Sequence, residues 1–358
     1  MKATAQLHEL GQSLWLDDIT RDLLDSGTLR GFIDDLSVTG LTSNPTIFDH
    51  AITHSAKYDD DIRRLLGKGV SGEALFFELA LADLARAADL FLPVHRRTRG
   101  VDGWVSLEVS PKLARDTART VTEAKRLHDK ADKPNLFIKI PGTIEGLPAI
   151  EDSIFAGVSI NVTLLFSRAD YLSAADAYMN GLERRVKAGL PLDVSSVASV
   201  FISRWDRAVV DKVPEALRDR LGIAIGQQTY KAYRDVLDSD RWQRLENCGA
   251  RPQRLLFAST SMKDPKAPDT LYVTTFAAPN TVNTMPEATL RAFGDHGNLG
   301  AVLARDGGDC EQVIAAHVRA GIDVNALASR LQVDGAKSFV DSWDDLLGAI
   351  EKKSSKLT

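Results

Sequence analysis

The chain of 358 residues has very little cysteine and no long hydrophobic run. Its two cysteines, Cys248 and Cys310, lie far apart in the sequence, without histidines at metal-ligand spacing. Neither a disulfide framework nor a zinc site is therefore indicated. No window of about 18 apolar residues occurs, and no apolar stretch follows Lys2, so we expect neither a membrane span nor a signal peptide. The expected location is the cytoplasm.

The chain also carries little net charge. The formal net charge of −5 is spread along the chain, and no basic run is interleaved with aromatic residues. Nucleic acid and membranes are therefore not expected partners, and small molecules fit better. Gly100, Gly103 and the pair Gly307–Gly308 match neither a dinucleotide fingerprint nor a phosphate-binding loop. The seven histidines are scattered, so no metal site is expected.

The chain does contain short apolar runs that alternate with longer amphipathic stretches. This alternation is typical of repeated strand–helix units around a parallel sheet. Eight candidate strands follow this pattern. They are residues 13–18, 38–43, 104–109, 136–141, 158–164, 197–203, 254–259 and 271–276. Eight such units predict an α/β fold, a closed (β/α)8 TIM barrel with additional helices.

The helical pattern predicts how the rest of the chain is organised. Apolar residues recur at three and four positions in residues 71–94, 112–130, 168–187, 223–244 and 324–350. Residues 45–103 and 209–252 are longer than a strand–helix connection needs, so we interpret both as helical insertions. The last helix should seal against the body, with the tail after Ile350 fraying into solvent. No linker separates domains, so residues 1–358 should form a single domain.

Lys139 is the most informative residue of the chain. It lies inside the apolar run NLFIKIPG, where a permanent positive charge would be costly to bury. Lysine is readily deprotonated on burial, and a neutral amine can attack a carbonyl to form a Schiff base. Alternation places Phe137 and Lys139 on one face, which would give the amine an aromatic neighbour inside a barrel. The alternatives are a solvent-facing lysine or one paired with a structural carboxylate.

Polar residues also occur within or just after the other predicted strands. Barrel enzymes place their chemistry at the carboxyl ends of the strands, so these residues form the candidate site. They are Asp17, Asn44, Glu108, Asn161, Thr163, Ser199, Arg204, Ser259, Ser261 and Lys263. Glu108 could instead form a salt bridge at the barrel rim, and Asp17 or Asp18 could cap a helix. Arg204 could form a salt bridge at a helix start, and Asn44 could mark a turn before a helix beginning at Pro45.

Six motifs in this order resemble those of transaldolases, the class I Schiff-base enzymes of the pentose phosphate pathway. The motifs span nearly the whole chain. They are LWLDDITRDLL, GLTSNPTIF, VSLEVSP, LFIKIPGTIEGLPAI, GVSINVTLLFS and SVFISRWD. The loop TFAAPNTVNTMPEATLRAFGDHG and the insertion around residues 223–244 resemble the longer, actinobacterial-like branch of that family. In place of the serine and arginine that follow strand seven in enterobacterial-type members, this chain has STSMK.

The resemblance implies a reaction that needs no cofactor or metal. A dihydroxyacetone unit would pass from sedoheptulose 7-phosphate to glyceraldehyde 3-phosphate, giving erythrose 4-phosphate and fructose 6-phosphate. Lys139 would form the imine, Asp17 would take and return a hydroxyl proton, and Glu108 with Thr163 would activate water. The three-carbon unit and the phosphate would be bound by two further groups of residues. These are Asn44, Asn161 and Ser199 for the first, and Arg204, Ser259, Ser261 and Lys263 for the second.

Two other functions remain open at this point. A related aldolase would release free dihydroxyacetone, but aldolases of this group are shorter and usually have glutamine where Glu108 stands. A barrel that has lost its chemistry could bind sugar phosphates without turnover. The set of polar residues from Asp17 to Arg204 favours an enzyme over a pure binder.

Overall fold

The computed structural model describes residues 1–357. Eight strands in these residues form a closed, parallel barrel in the order β1 to β8, with β8 pairing with β1. The strands are β1 (Gln12–Asp17), β2 (Val38–Thr42), β3 (Trp104–Glu108), β4 (Leu136–Pro141), β5 (Ile160–Leu165), β6 (Ser196–Phe201), β7 (Arg254–Ala258) and β8 (Thr281–Met285). The predicted (β/α)8 barrel is confirmed.

Sixteen α-helices in the described residues surround the barrel. The first eight are α1 (Ala3–Glu9), α2 (Arg21–Asp25), α3 (Thr28–Asp35), α4 (Pro45–His54), α5 (Asp59–Leu66), α6 (Gly72–Arg97), α7 (Thr117–Ala131) and α8 (Gly146–Phe155). The second eight are α9 (Arg168–Lys187), α10 (Ser203–Val209), α11 (Leu221–Leu237), α12 (Asp240–Asn247), α13 (Leu271–Thr275), α14 (Glu287–His296), α15 (Cys310–Arg319) and α16 (Val324–Leu357). None of these helices is both long and apolar enough to cross a membrane.

The eighth predicted strand is wrong, because residues 271–276 contain helix α13 and the true strand is β8. The run LYVTTF has β-branched and aromatic residues, but its contacts in the folded protein favour a helix. Tyr272 is buried there and its hydroxyl donates a hydrogen bond to Asp206 at 2.7 Å. The strand β8 has the sequence TVNTM, whose polar residues hide it from a search for apolar runs.

Two helix predictions also need correction. Residues 223–244 fall in two helices, and the break is at Ser239, whose hydroxyl accepts a hydrogen bond from the backbone N–H of Trp242 and so caps α12. The C-terminal tail does not fray, because α16 continues to Leu357. Lys353 holds this end by donating hydrogen bonds to the carbonyl oxygens of Ile52 and Ser55, and by an ion pair with Asp59.

The barrel interior has an apolar layer directly below its polar end. One buried cluster contains the inward-facing residues Trp15, Trp104, Phe137, Val197, Leu256, Ala258 and Val282. The rings of Trp104 and Phe137 stack with their centroids 4.1 Å apart. Because side chains alternate along a strand, the residue two positions after Phe137 also faces the interior. That residue is Lys139, and the apolar layer is the floor beneath it.

Candidate active site

The carboxyl ends of the strands surround a cavity of about 380 Å³. Its lining includes polar side chains from the candidate set and one of their neighbours on the same strands. They are Asp17, Thr42, Asn44, Lys139, Thr163, Ser199, Arg204, Ser259 and Lys263. Ser261 also lines the cavity, whereas Glu108 and Asn161 are buried behind the lining. The structure therefore brings all the sequence-predicted site residues to one end of the barrel.

Lys139 lies at the centre of this group and is only 6% exposed. Its Nζ is 3.4 Å from Oε2 of Glu108, and it donates a hydrogen bond to the carbonyl oxygen of Ser43 at 3.1 Å. The register of the sheet explains the pair, because Glu108 on β3 is directly opposite Lys139 on β4. The solvent-facing alternative for Lys139 is wrong, and the carboxylate that it meets is itself buried.

Asp17 reaches the site from the carboxyl end of β1, which pairs with β2. It is opposite Thr42, whose hydroxyl donates a hydrogen bond to Oδ1 of Asp17 at 2.7 Å. Thr284 on β8 lies 2.9 Å from the hydroxyl of Thr42 and extends this chain of hydroxyl groups. Asp17 and Asp18 do not cap the next helix, because Thr20 caps α2. Asp18 does not line the cavity.

Burial raises the pKa of both carboxyl groups near Lys139. For Asp17 the loss of water outweighs the attraction of Lys139 and the hydrogen bond from Thr42. For Glu108 burial also dominates, Lys139 opposes it, and the negative charge of Asp17 adds to the rise. A carboxyl group whose pKa moves toward neutrality can both accept and return a proton under physiological conditions. Two such groups beside one amine can therefore move protons to and from a reacting carbonyl compound.

A second polar network crosses β5 and β6. The hydroxyl of Ser199 donates a hydrogen bond to Oδ1 of Asn161 at 2.7 Å, and Nδ2 of Asn161 donates to the hydroxyl of Ser106 at 3.2 Å. Asn161 is fully buried and lies opposite Lys139 in the sheet. The hydroxyl of Thr163 is buried, lines the cavity and has no hydrogen-bond partner among residues 1–357. It is therefore free to bond a water molecule or a substrate.

The outer part of the cavity is rich in cations and hydroxyl groups. Arg204 is the second residue of α10, with its guanidinium carbon 5.3 Å from the centre of the Phe201 ring. Arg204 has no ion pair among the described residues, and the charged group nearest to it in effect is Arg207, so the salt-bridged alternative is wrong. Ser259, in the left-handed backbone region at φ 57°, lies 2.8 Å from the hydroxyl of Ser203. Lys263 is exposed at the same end of the cavity.

Asn44 both caps a helix and lines the cavity. Its Oδ1 accepts a hydrogen bond from the backbone N–H of Ile47, so it caps α4, and Pro45 is the first residue of that helix. Asn44 also lines the cavity, and its amide nitrogen is not needed for the cap. The helix-start interpretation is therefore confirmed, and the substrate-binding role of Asn44 stays a prediction.

Several residues that line the cavity were not predicted from the sequence, among them Thr284, Ser338 and Phe339. Thr284 was missed because the eighth strand was placed too early, although the alternation in TVNTM could have revealed it. Ser338 and Phe339 belong to α16, which crosses the open end of the barrel. Their periodicity indicates only that one face of α16 is buried, and no sequence signal shows which part of the barrel this face covers.

Comparisons with known proteins give a consistent result over nearly the whole chain. The family model described as Transaldolase/Fructose-6-phosphate aldolase matches residues 14–350. A transaldolase of Parafrankia sp. (strain EAN1pec) is 45% identical over 362 residues, which cover 98% of this chain and 98% of that protein. A transaldolase of Thermobifida fusca (strain YX) is 45% identical over 97% of each chain. The protein named Transaldolase 2 of Streptomyces coelicolor is 42% identical over 99% of this chain and 98% of its own length.

Proposed function

Because this chain belongs to the transaldolase/fructose-6-phosphate aldolase family, we propose that Lys139 is the amine that forms the Schiff base. The chain is a transferase with transaldolase activity. It moves a dihydroxyacetone unit from sedoheptulose 7-phosphate to glyceraldehyde 3-phosphate and gives erythrose 4-phosphate and fructose 6-phosphate. The observation that carries the assignment is the buried amine, 3.4 Å from Glu108 and above an apolar floor.

The first stage builds the imine and breaks one carbon–carbon bond. The Lys139 nitrogen, as the free amine, attacks the C2 carbonyl of the ketose, and Glu108 donates a proton to the carbinolamine hydroxyl, which leaves as water and gives the protonated imine. Asp17 then takes the proton of the C4 hydroxyl, the C3–C4 bond breaks, and its electron pair moves toward the imine to form an enamine. Erythrose 4-phosphate leaves as the aldehyde. The hydrogen bond from Thr42 orients the carboxylate of Asp17 for this step.

The second stage reverses these events with a new aldehyde. The enamine carbon attacks the carbonyl carbon of glyceraldehyde 3-phosphate, and Asp17 returns its proton to the new alkoxide. A water molecule held by Thr163 and deprotonated by Glu108 attacks the imine carbon, and its hydrolysis releases fructose 6-phosphate and the free amine. Support for this role comes from the buried hydroxyl of Thr163, which has no protein hydrogen-bond partner within residues 1–357.

Substrate binding divides between the two ends of the cavity. Near Lys139, we assign the hydroxyl groups of the three-carbon unit to Asn44 and Ser199, with Asn161 orienting Ser199. At the outer end, Arg204 meets the phosphate, because its guanidinium has no carboxylate partner among the described residues. Ser259, Ser261 and Lys263 line the same end and assist it. Sugar phosphates are thus the partners, and a cytoplasmic location stays a prediction.

A coupled assay with a matched variant tests this function. Purified protein is incubated with sedoheptulose 7-phosphate and glyceraldehyde 3-phosphate, and fructose 6-phosphate is measured with time. The wild type should form it, and Lys139→Met, which has a side chain of similar length without an amine, should not. Circular dichroism and a thermal melt check that the variant is folded. Absence of product from the wild type, or turnover by the folded variant, contradicts the proposal.

A further inference from the structure

Arg204 has two close neighbours that use none of its hydrogen-bond donors. One is the Phe201 ring, 5.3 Å from the guanidinium carbon. The other is the backbone of α16 at Gly335, where an added Cβ would be only 3.1 Å from Nη1 of Arg204. Such a contact is tighter than nine in ten of those of real Cβ atoms. The guanidinium therefore lies close to both an aromatic ring and a bare helix backbone.

Glycine at this position is unexpected from helix stability alone. Gly335 is buried in the interior of α16, where glycine is among the poorest helix formers. Its φ is not positive, so the backbone conformation does not require glycine. The space that it leaves borders the side chains of Arg204, Leu164 and Phe166. Close approach of these side chains, Arg204 among them, is the physical reason that remains for a glycine here.

The helix is fixed at this point, so it cannot withdraw to make room for a larger side chain. One turn earlier, Gln332 donates hydrogen bonds to the carbonyl oxygens of Gly142 and Leu164, at 3.2 and 3.1 Å. Gly142 directly follows β4, which carries Lys139, and Leu164 lies in β5, which carries Thr163. With α16 anchored there, the side chains that would shift are the end of the long Arg204 side chain and the end of Leu164, each 3.1 Å from an added Cβ.

We propose that Gly335 is a positioning residue for Arg204 and thereby a determinant of specificity for phosphorylated ketoses. The inference rests on the proposed phosphate role of Arg204. Gly335 does not touch the substrate. It allows the backbone of α16 to pack close to the guanidinium, so that the N–H donors of the guanidinium are directed into the cavity. A methyl group at this position would push the guanidinium away from the phosphate while leaving Lys139 and its neighbours in place.

The test compares Gly335→Ala with Gly348→Ala, a change in the same helix where a new Cβ meets nothing within 4 Å. Each variant is assayed with fructose 6-phosphate and with fructose as donor, and erythrose 4-phosphate as the common acceptor, by following sedoheptulose 7-phosphate. Gly335→Ala should lower kcat/KM for fructose 6-phosphate by about three- to tenfold, part of the roughly ten- to hundredfold expected for full loss of a charged hydrogen bond. Its kcat/KM for fructose should stay at the wild-type value, as should both values for Gly348→Ala.

The double variant Gly335→Ala/Arg204→Ala separates positioning from a general structural effect. Since Gly335 acts through Arg204, its replacement should change nothing further once Arg204 is alanine. Equal losses with both donors, a further loss in the double variant, or an unchanged Gly335→Ala would each overturn the inference. If Arg204→Ala itself fails to discriminate between the two donors, the phosphate assignment of Arg204 fails instead. Thermal melts check that Gly335→Ala is folded at the assay temperature, since the gain in helix propensity and the tight contact of the new Cβ act in opposite directions on stability.

Discussion

Replacing Asp17 by asparagine tests the proton transfer that breaks the carbon–carbon bond. Asparagine keeps the size of the side chain and an oxygen that can accept the 2.7 Å hydrogen bond from Thr42. It cannot take a proton from the C4 hydroxyl. A positioned general base contributes about 10²- to 10⁴-fold to rate, so Asp17→Asn should lower kcat by that factor. KM should change little, because the oxygen that faces the substrate remains.

The pH dependence of kcat gives the same test a second readout. Asp17 must be ionised to act as the base, and burial raises its pKa. In the wild type, kcat should therefore fall on acidification at a higher pH than an ordinary aspartate would produce. The part of this acid limb that is due to Asp17 should be absent from the residual activity of Asp17→Asn, and only the part due to the buried Glu108 should remain. Asp18→Asn is the matched control, because its side chain does not line the cavity, and it should keep a rate close to that of the wild type.

Imine formation should survive in Asp17→Asn, since Lys139 and Glu108 are unchanged. Borohydride reduction in the presence of fructose 6-phosphate should therefore still label the variant. The reasoning is refuted if the variant keeps kcat within about tenfold of the wild type, below the range for a general base. It is also refuted if borohydride labelling is lost together with turnover.

Three further predictions each concern the replacement of one residue. Arg204→Ala should raise KM for fructose 6-phosphate by roughly ten- to a hundredfold, because a hydrogen bond to a charged group contributes about 1.5–3 kcal/mol. KM for fructose should change little. Steady-state kinetics with both donors measures this difference. Glu108→Gln should slow the rate of borohydride-trappable imine formation by about 10²-fold or more, and an unchanged rate removes Glu108 from the water step. Gly40→Ala should reduce the free energy of unfolding, measured by urea titration, by about 1–3 kcal/mol, because it overpacks the inside of the barrel. The new Cβ would lie 2.5 Å from Nε1 of Trp15.

Seven strands of the barrel could be predicted because most of them contain a run of apolar residues. A strand buried on both faces, such as LFIKIP, stands out in this way, and a single lysine within it is conspicuous. The strand β8 could not be found by this criterion, since three of its five residues are polar. The run LYVTTF resembled a strand more closely, and its helical state depends on packing and on the hydrogen bond of Tyr272 to Asp206. No local pattern contains that information.

The site was predictable where chemistry is carried by strand residues and not where it comes from distant parts of the chain. Lys139, Glu108 and Asp17 lie on neighbouring strands, so the barrel topology alone places them together. Gly335 and Ser338 approach the same cavity from a helix near the C-terminus. Their proximity to Arg204 depends on how α16 packs across the barrel, which the periodicity of a helix does not specify.

The polar site lies in the barrel interior, which one layer below is filled by apolar side chains. Two buried carboxyl groups with raised pKa values and a buried amine stand directly above Trp104 and Phe137. Burying these groups costs free energy unless they pair with one another. The floor of aromatic rings keeps water away from the amine from below, while the cavity admits substrate from above. Reactivity at this site therefore depends on the same burial that opposes its stability.

The most direct test of the account is to identify the lysine that bonds to the substrate. The protein is incubated with fructose 6-phosphate, reduced with borohydride, digested and analysed by mass spectrometry of the peptides. We predict a single major adduct on Lys139, and none in Lys139→Met treated in the same way. An adduct on a different lysine, or equal labelling of the variant, would contradict the central claim.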